Sequence, residues 1–318
     1  MATVNFPHRF LTTAFALVLS LGASSGLFAA QAYIIVDAKS GHVLAERESR
    51  AKRQVGSLTK VAAAMVVLDW AERHSGDLNQ LATIPPDALT VGGENNVGFQ
   101  PGDTIALRDL LYAALVQSDN IAAQTLASHV GQALQGVVPT AGGSPAATFV
   151  GQMNALAKTL GMERTRFSNP HGMDTNVKPL PYSTASDLAR LTRYAMNKAA
   201  FRFYVTQKER QISFNRAGKR MDYLLKNTNE LLGTNGVEGV KTGRTARAGD
   251  CLILSAQQKA EVIQHGPTSA TVIPRHLIVV LLGSPNRFAE GTQLLAQGWQ
   301  MYDQWAAAGR PVDPKKAL

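Results

Sequence analysis

A chain of 318 residues with 45% hydrophobic and 17% charged side chains is long enough for one large domain or two modest ones, and these proportions exclude a disordered or collagen-like polypeptide. Lysines and arginines number 32 against 23 acids, and the net charge of +9 suits an anionic partner such as nucleic acid, acidic lipid or cell-wall polymer without choosing among them. The densest basic groups, residues 47–53 and 208–220, lack the interleaved aromatics of a base-stacking platform, so no nucleic-acid partner is expected.

His8 and Arg9 precede an apolar run over residues 11–21, and small residues follow through Ala32. This is the order of a secretory signal, expected to occupy residues 1–30 with cleavage between Gly22 and Ala32. The run is shorter than the ~20 residues of a bilayer span and no later segment is apolar enough, so no stable membrane anchor is expected after cleavage. The destination is then the periplasm or another extracytoplasmic wall space. A single cysteine, Cys251, rules out an intramolecular disulfide and reads as a core thiol within its apolar run.

Apolar stretches at 32–37 and 42–46 around a turn at 39–41 predict a β-hairpin. From Ser57 the alanine-rich segment 58–70 is apolar on nearly every side, the pattern of a helix buried through the middle of a domain. Residues 104–117 carry one apolar helix face with Asp103 or Thr104 as N-cap, and 121–130 predicts a second helix. Ser118-Asp119-Asn120 between them reads as a short exposed connection. Residues 131–147 read as a loop, 149–160 and 183–197 as helices, and 239–242, 251–256 and 277–283 as strands with a polar interruption at 257–274. A closing helix over 287–308 places Trp299, Tyr302 and Trp305 in the core. One domain is expected over 31–310, with a short polar tail at 311–318. Strands at both ends imply one mixed sheet whose first hairpin joins the last strands, a helical lobe over about 57–232, and a cleft between them for a site.

Three motifs stand in order: Ser57-Leu58-Thr59-Lys60, Ser118-Asp119-Asn120 and Lys241-Thr242-Gly243. Together they describe a serine acyl-transfer site. Ser-x-x-Lys also occurs at Ser49 and Lys52, and Ser-x-Asn recurs at Ser213 and Ser284, but Ser49 lies in a charged surface run whereas Ser57 heads a buried helix. Three residues apart on one face, the Lys60 amine reaches the Ser57 hydroxyl. Serine is a weak nucleophile until a base takes its proton, and lysine is that base only when its pKa falls. Burial among Val61, Ala62 and Ala64 and the positive end of the helix both lower it; Lys241, if close, adds a like charge. The helix start also aims the Ser57 N–H at developing negative charge, half of an oxyanion hole. The bland alternatives are an N-cap at Ser57, a solvated Lys60, plain turn residues at Ser118 and Asn120, and a strand-edge charge at Lys241. Three motifs in this order on a helix start, a turn and a strand outweigh them.

The constellation resembles the penicillin-binding proteins of the serine D-alanyl-D-alanine carboxypeptidase family, the low-molecular-mass group. Tyr33-Ile34-Ile35-Val36-Asp37 with Ser40-Gly41 is similar to the family's opening hairpin. Ser168-Asn169-Pro170-His171-Gly172-Met173, Tyr182-Ser183-Thr184-Ala185 with Asp187-Leu188, and Asn227-Thr228-Asn229-Glu230-Leu231-Leu232 are similar to its intervening signatures, so the likeness runs from about Ala32 to Trp305. It implies an α+β fold of the β-lactamase/transpeptidase type: an antiparallel sheet flanked by helices, a helical lobe, and the active site in the cleft. It further implies that Ser57 is acylated by the penultimate D-Ala carbonyl, that Lys60 is the base and that Ser118 relays protons to the leaving amine. Asn120 would bind the peptide's amide, Lys241, Thr242 and Gly243 would hold the terminal carboxylate, and the Arg244 N–H would complete the oxyanion hole. The implied reaction removes the terminal D-Ala from peptidoglycan stem peptides, is inhibited by β-lactams, and uses no metal and no cofactor.

Many relatives carry a second β-rich domain and a C-terminal amphipathic helix, for which only about ten residues remain here after the closing helix. Gly283-Ser284-Pro285-Asn286-Arg287 lacks the arginine that some members place directly after the glycine, leaving Arg287 or Arg244 to substitute. The segments 132–148 and 257–274 are atypical and are expected to shape substrate choice. The related class A β-lactamases resemble one another in a Glu-x-x-x-Asn element for deacylation; it is missing after Ser118, so β-lactams are expected to inhibit. None of the seven histidines forms a zinc-ligand pair, and His171 reads as a loop-stabilising residue. Two alternatives stay open: a DD-endopeptidase cutting crosslinks, and a non-catalytic secreted penicillin-binding or wall-binding protein.

Overall fold

The computed structural model describes residues 29–135, 143–314 and 317–318. The expected signal, up to residue 28, lies outside them. The opening hairpin forms as strands β1 (Ala32–Asp37) and β2 (Val43–Arg47), and its turn is fixed by Asp37, whose carboxylate accepts from the N–H and hydroxyl of Ser40, each at 2.6 Å. The late strands are β7 (Val237–Thr245), β8 (Gly249–Gly266) and β9 (Ser269–Ser284), and the sheet runs β2-β1-β9-β8-β7. Every pairing is antiparallel, where the element order had implied a mixed sheet. The first strand inserts beside the last, so no parallel crossover is needed.

Side chains alternate between two cores. Ile34, Val36, Ile253, Ile278 and Val280 face the helical lobe, whereas Ile35, Leu252, Leu254, Val279 and Leu281 pack under helix α7 (Arg287–Ala307) with Leu294, Trp299 and Tyr302. Both faces of these strands are therefore apolar. Cys251 belongs to the inner core, and burial pushes its thiol up to about 11, so it is an inert core group.

The lobe is built on helix α1 (Lys60–Arg73), in which every residue from Lys60 to Trp70 is buried. Around it pack α2 (Leu107–Leu115), α3 (Asn120–Gln135), α4 (Pro145–Thr159), α5 (Ala185–Met196) and α6 (Ala199–Val205). Helix boundaries differ from expectation, and α4 already begins at Pro145, inside the expected loop 131–147. Thr104–Ala106 forms strand β4 instead of the first helical turn, and α3 runs on to Gln135, beyond the expected end at Val130.

A second sheet was not anticipated. Strands β3 (Leu81–Thr83), β4, β5 (Glu209–Arg216) and β6 (Lys219–Lys226) pair in that order. The basic group around residue 210 is thus a hairpin, turned at Ala217-Gly218 with φ of 49° and 83°, as a two-residue primed turn requires. The alternation of Ile212 and Phe214 was the available signal. Residues 257–274 are likewise no loop: β8 and β9 continue past the sheet as a two-stranded arm. Thr245 pairs with Gly249 at the Lys241-Thr242-Gly243 end, while the arm leaves from Ala256, opposite Val237 at the other end. It extends away from the motif, contrary to the expectation that it shapes the site.

Candidate active site

Ser57 lies in a 3-10 turn, Gly56–Thr59, that leads into α1 and makes no side-chain cap. Residues three apart eclipse in such a turn, which brings Lys60 Nζ to 2.8 Å from Ser57 Oγ. Two further acceptors surround the amine: Asn120 Oδ1 at 2.6 Å and the His171 carbonyl at 3.0 Å. Burial, opposed in part by the nearby Asp119, pushes Lys60 down to about 7. A neutral amine keeps two protons and one lone pair. The Asn120 and His171 oxygens can only accept, so both protons go to them and the lone pair is left facing the one partner that can donate, the Ser57 hydroxyl. Asn120 is held in this orientation by its Nδ2, which donates to the Gly92 carbonyl at 2.9 Å. One N–H and one lone pair of that amide remain for a ligand.

The connection carrying Asp119 and Asn120 is buried, not exposed as its composition suggested, because the segment through Gly92 and Gly93 covers it. Asp119 accepts from the Ala122 N–H at 2.7 Å, and burial pushes its carboxyl up to about 6. Ser118 is half-buried at φ 68°, and its hydroxyl has no hydrogen-bond partner among the described residues. His171 contributes through its backbone: burial, then the Lys60 charge, push its ring down to about 3, and Nδ1 accepts from Met173 at 3.3 Å. The competing pair separates, with Ser49 donating to Glu46 and Lys52 lying over the Tyr182 ring at 4.5 Å.

Three glycines bring the segments together backbone to backbone. A Cβ on Gly243 would stand 2.6 Å from the Val55 carbonyl, one on Gly172 1.9 Å from the Gly56 carbonyl, and one on Gly56 3.0 Å from the Arg244 nitrogen. The Arg244 N–H is thereby set against the Ser57 turn. Lys241 is buried; burial, then Lys60 and Arg287, lower its pKa well below the usual lysine range, and its amine donates to the Thr242 carbonyl at 3.0 Å. The Thr242 hydroxyl meets that of Thr228 at 2.7 Å, a contact between segments 14 residues apart that no local pattern marks. Both candidate arginines pair with Asp250, Arg244 at 3.5 Å and Arg287 at 3.4 Å, but Arg244 has its side chain 76% exposed, whereas Arg287 is 18% exposed and also donates to the Gly243 carbonyl at 3.0 Å. Among the described residues no group of three or more His, Cys, Asp or Glu converges as a metal site.

A buried amine on a serine hydroxyl, opposite a lysine-bearing strand, can support acyl transfer, and comparison with known proteins gives the lineage. A family profile described as D-alanyl-D-alanine carboxypeptidase matches residues 21–264. The chain belongs to this family. It is 31% identical over 308 residues to the D-alanyl-D-alanine carboxypeptidase DacC of Escherichia coli K12, covering 94% of this chain and 68% of that protein. A D-alanyl-D-alanine endopeptidase of Pseudomonas aeruginosa is 30% identical over 266 residues, covering 82% of this chain and 74% of the relative. The crystal structure of the Streptomyces K15 DD-transpeptidase superposes with a TM-score of 0.71 at 26% identity over 86% of this chain and 98% of its own. The antiparallel sheet with helices on its faces is the fold of these DD-peptidases. The chain spans about two thirds of the length of the E. coli carboxypeptidase.

Proposed function

We propose that this chain is an exported serine-type D-alanyl-D-alanine carboxypeptidase that removes the terminal D-Ala from peptidoglycan stem peptides in the periplasm or wall space. The observation that carries it is the Lys60 amine, lone pair toward Ser57 Oγ at 2.8 Å. In the proposed sequence Ser57 Oγ attacks the penultimate carbonyl carbon as its proton passes to Lys60 Nζ, and the N–H groups of Ser57 and Arg244 receive the oxyanion. Ser118 passes its hydroxyl proton to the departing D-Ala nitrogen as the C–N bond breaks and takes one in turn from the Lys60 ammonium, which returns to the neutral amine. Water then cleaves the ester and restores Ser57. Lys241, Thr242 and Gly243 hold the terminal carboxylate, and β-lactams, carrying a carboxylate beside a strained amide, acylate the same serine. The likeness to the P. aeruginosa endopeptidase favours one second reading, cleavage of crosslinks.

Release of D-alanine from a diacyl-lysyl-D-Ala-D-Ala peptide, run beside a crosslinked muropeptide dimer, separates the two readings. The carboxypeptidase frees D-Ala from the first; dimer cleavage without D-Ala release would replace it with the endopeptidase. In the same assay Arg287→Ala is expected to raise KM about tenfold, the value of one charge-assisted contact, and Arg244→Ala, which keeps its backbone N–H, less than about twofold. The reverse order would make Arg244 the carboxylate's partner.

Thr228 is proposed as a positioning residue. Thr242 has one proton, and it reaches a substrate carboxylate only when Thr228 acts as donor in their shared bond. Thr228→Val should raise KM about fivefold with kcat nearly constant, and Thr228→Ser should restore it. A fall in kcat alone would assign Thr228 to the chemical step or to the fold.

A further inference from the structure

Away from the proposed active site, the basic run near residue 50 ends in a built cavity. Arg50 from the segment after β2, Arg164 from the segment after α4, and Arg190 from α5 line one space of ≈ 190 Å³. Among the described residues none of the three closes an ion pair within 4.0 Å, and none donates a side-chain hydrogen bond. Three guanidinium groups gathered without hydrogen-bond partners leave their forked donors free for an anion.

A second observation points the same way. Ser186 lines the cavity and is 8% exposed, and its hydroxyl has no hydrogen-bond partner among the described residues. It stands in the first turn of α5, a helix of 12 residues whose positive end favours negative charge. Two backbone N–H groups of that turn are already used: Ser186 donates to the Ser49 carbonyl at 2.9 Å and Asp187 to Thr184 Oγ1 at 3.0 Å. A ligand would therefore be held by side chains.

Two acids share the lining. Asp187 is committed to its own element: its Oδ2 accepts from the Arg164 N–H at 3.0 Å and from Thr165 Oγ1 at 2.7 Å, and Arg50 and Arg190 act on it through space without pairing. Glu163 is exposed at the rim and pairs with none of the arginines. The lining thus carries three cations against two acids, one of which is already bonded; Arg50 and Arg164 are exposed and also border a neighbouring space with Glu46 and Glu48, neither of which pairs with them within 4.0 Å among the described residues. The volume is below the roughly 300 Å³ of a site for a drug-sized molecule, so a small group fits.

We propose that this cavity binds a phosphate-class oxyanion, gripped by Arg50, Arg164 and Arg190 with Ser186 as the fourth donor. Two sources present that chemistry, free phosphate and the headgroup of an anionic phospholipid. The probes are inorganic phosphate, followed by titration calorimetry, and vesicles of phosphatidylglycerol or phosphatidylcholine, followed by co-sedimentation.

Wild type is expected to bind inorganic phosphate, with affinity falling as salt rises, and Arg50→Gln/Arg190→Gln to bind at least about tenfold more weakly while still labelling with fluorescent penicillin. Sedimentation with phosphatidylglycerol but not phosphatidylcholine, lost in the same variant, makes the source a lipid headgroup; phosphate binding without sedimentation makes it the free ion. If the double variant fails to fold, Ser186→Ala gives the same reading on one neutral group, with weaker phosphate binding expected. Wild type that binds neither probe, or variants that bind phosphate as tightly as wild type, would overturn the site.

Discussion

Ser57→Ala is expected to abolish covalent labelling by fluorescent penicillin and to lower kcat/KM for a D-Ala-D-Ala peptide by on the order of 10⁴ to 10⁶. Among the described residues Ser57 is the serine whose hydroxyl meets the buried Lys60 amine. Ser118 offers no substitute, since among the described residues its hydroxyl has no hydrogen-bond partner and so no base beside it to take its proton. Ser49 is turned to Glu46. Intact-mass measurement should show one penicilloyl adduct on wild type and none on the variant, and the wild-type adduct should persist. Continued labelling of Ser57→Ala would move the nucleophile elsewhere. Rapid loss of the adduct from wild type would instead reveal a deacylating water that the missing Glu-x-x-x-Asn element did not foreshadow.

Lys60 should set the pH dependence. Its ammonium is the inactive form, so acylation by a β-lactam is expected to rise with pH through an apparent value near 7, the folded-state value, not near the ~10.4 of a free lysine. Lys60→Arg keeps a cation that cannot give up its proton, and Lys60→Met keeps none; each should cost about 10² to 10⁴ in acylation rate. A profile that climbs only toward pH 10 would count against Lys60 as the base.

The same lysine carries a stability cost whose sign can be worked through. Folding lowers its pKa from 10.5 to about 7, so the unfolded chain holds the proton more tightly. The penalty is full below pH ~7, shrinks as pH rises, and is gone above ~10.5. At ~1.4 kcal/mol per tenfold change in proton affinity it amounts to about 5 kcal/mol, against which the three hydrogen bonds of the amine return about 1 kcal/mol each. Lys60→Met should therefore be inactive yet more stable at pH 6, by on the order of 2 kcal/mol, with the advantage gone at about pH 8 and reversed by pH 10. Urea unfolding at both pH values measures it. A variant less stable than wild type at pH 6 would mean that the hydrogen bonds outweigh the burial of charge.

Local patterns were legible where one periodicity governed a whole segment. The segment after Ser57 reads as buried on every side, and Lys60 to Trp70 is buried without a break. The closing helix and the opening hairpin also fall where their spacing and turn residues place them. Misreadings came where a partner outside the segment decided the outcome. Thr104 and Ile105 can start a helix, but pairing with Asn215 and Phe214 draws them into a sheet. The polar run after Ala256 looks like a loop because neither face is covered, yet cross-strand hydrogen bonds need no apolar face.

The three motifs, their order and the periodicity of the segments that carry them are written in the residues, and through these the family is legible. The environment of the Lys60 amine is not, since the two oxygens that orient it lie 60 and 111 residues along the chain. Only the tertiary structure decided it, just as it chose Arg287 over Arg244 as the less exposed arginine beside Gly243 and gave Thr228 its contact with Thr242. The physical reason is range: backbone periodicity fixes which face of an element a side chain occupies, whereas a hydrogen bond between distant segments exists only once packing has brought their backbones together.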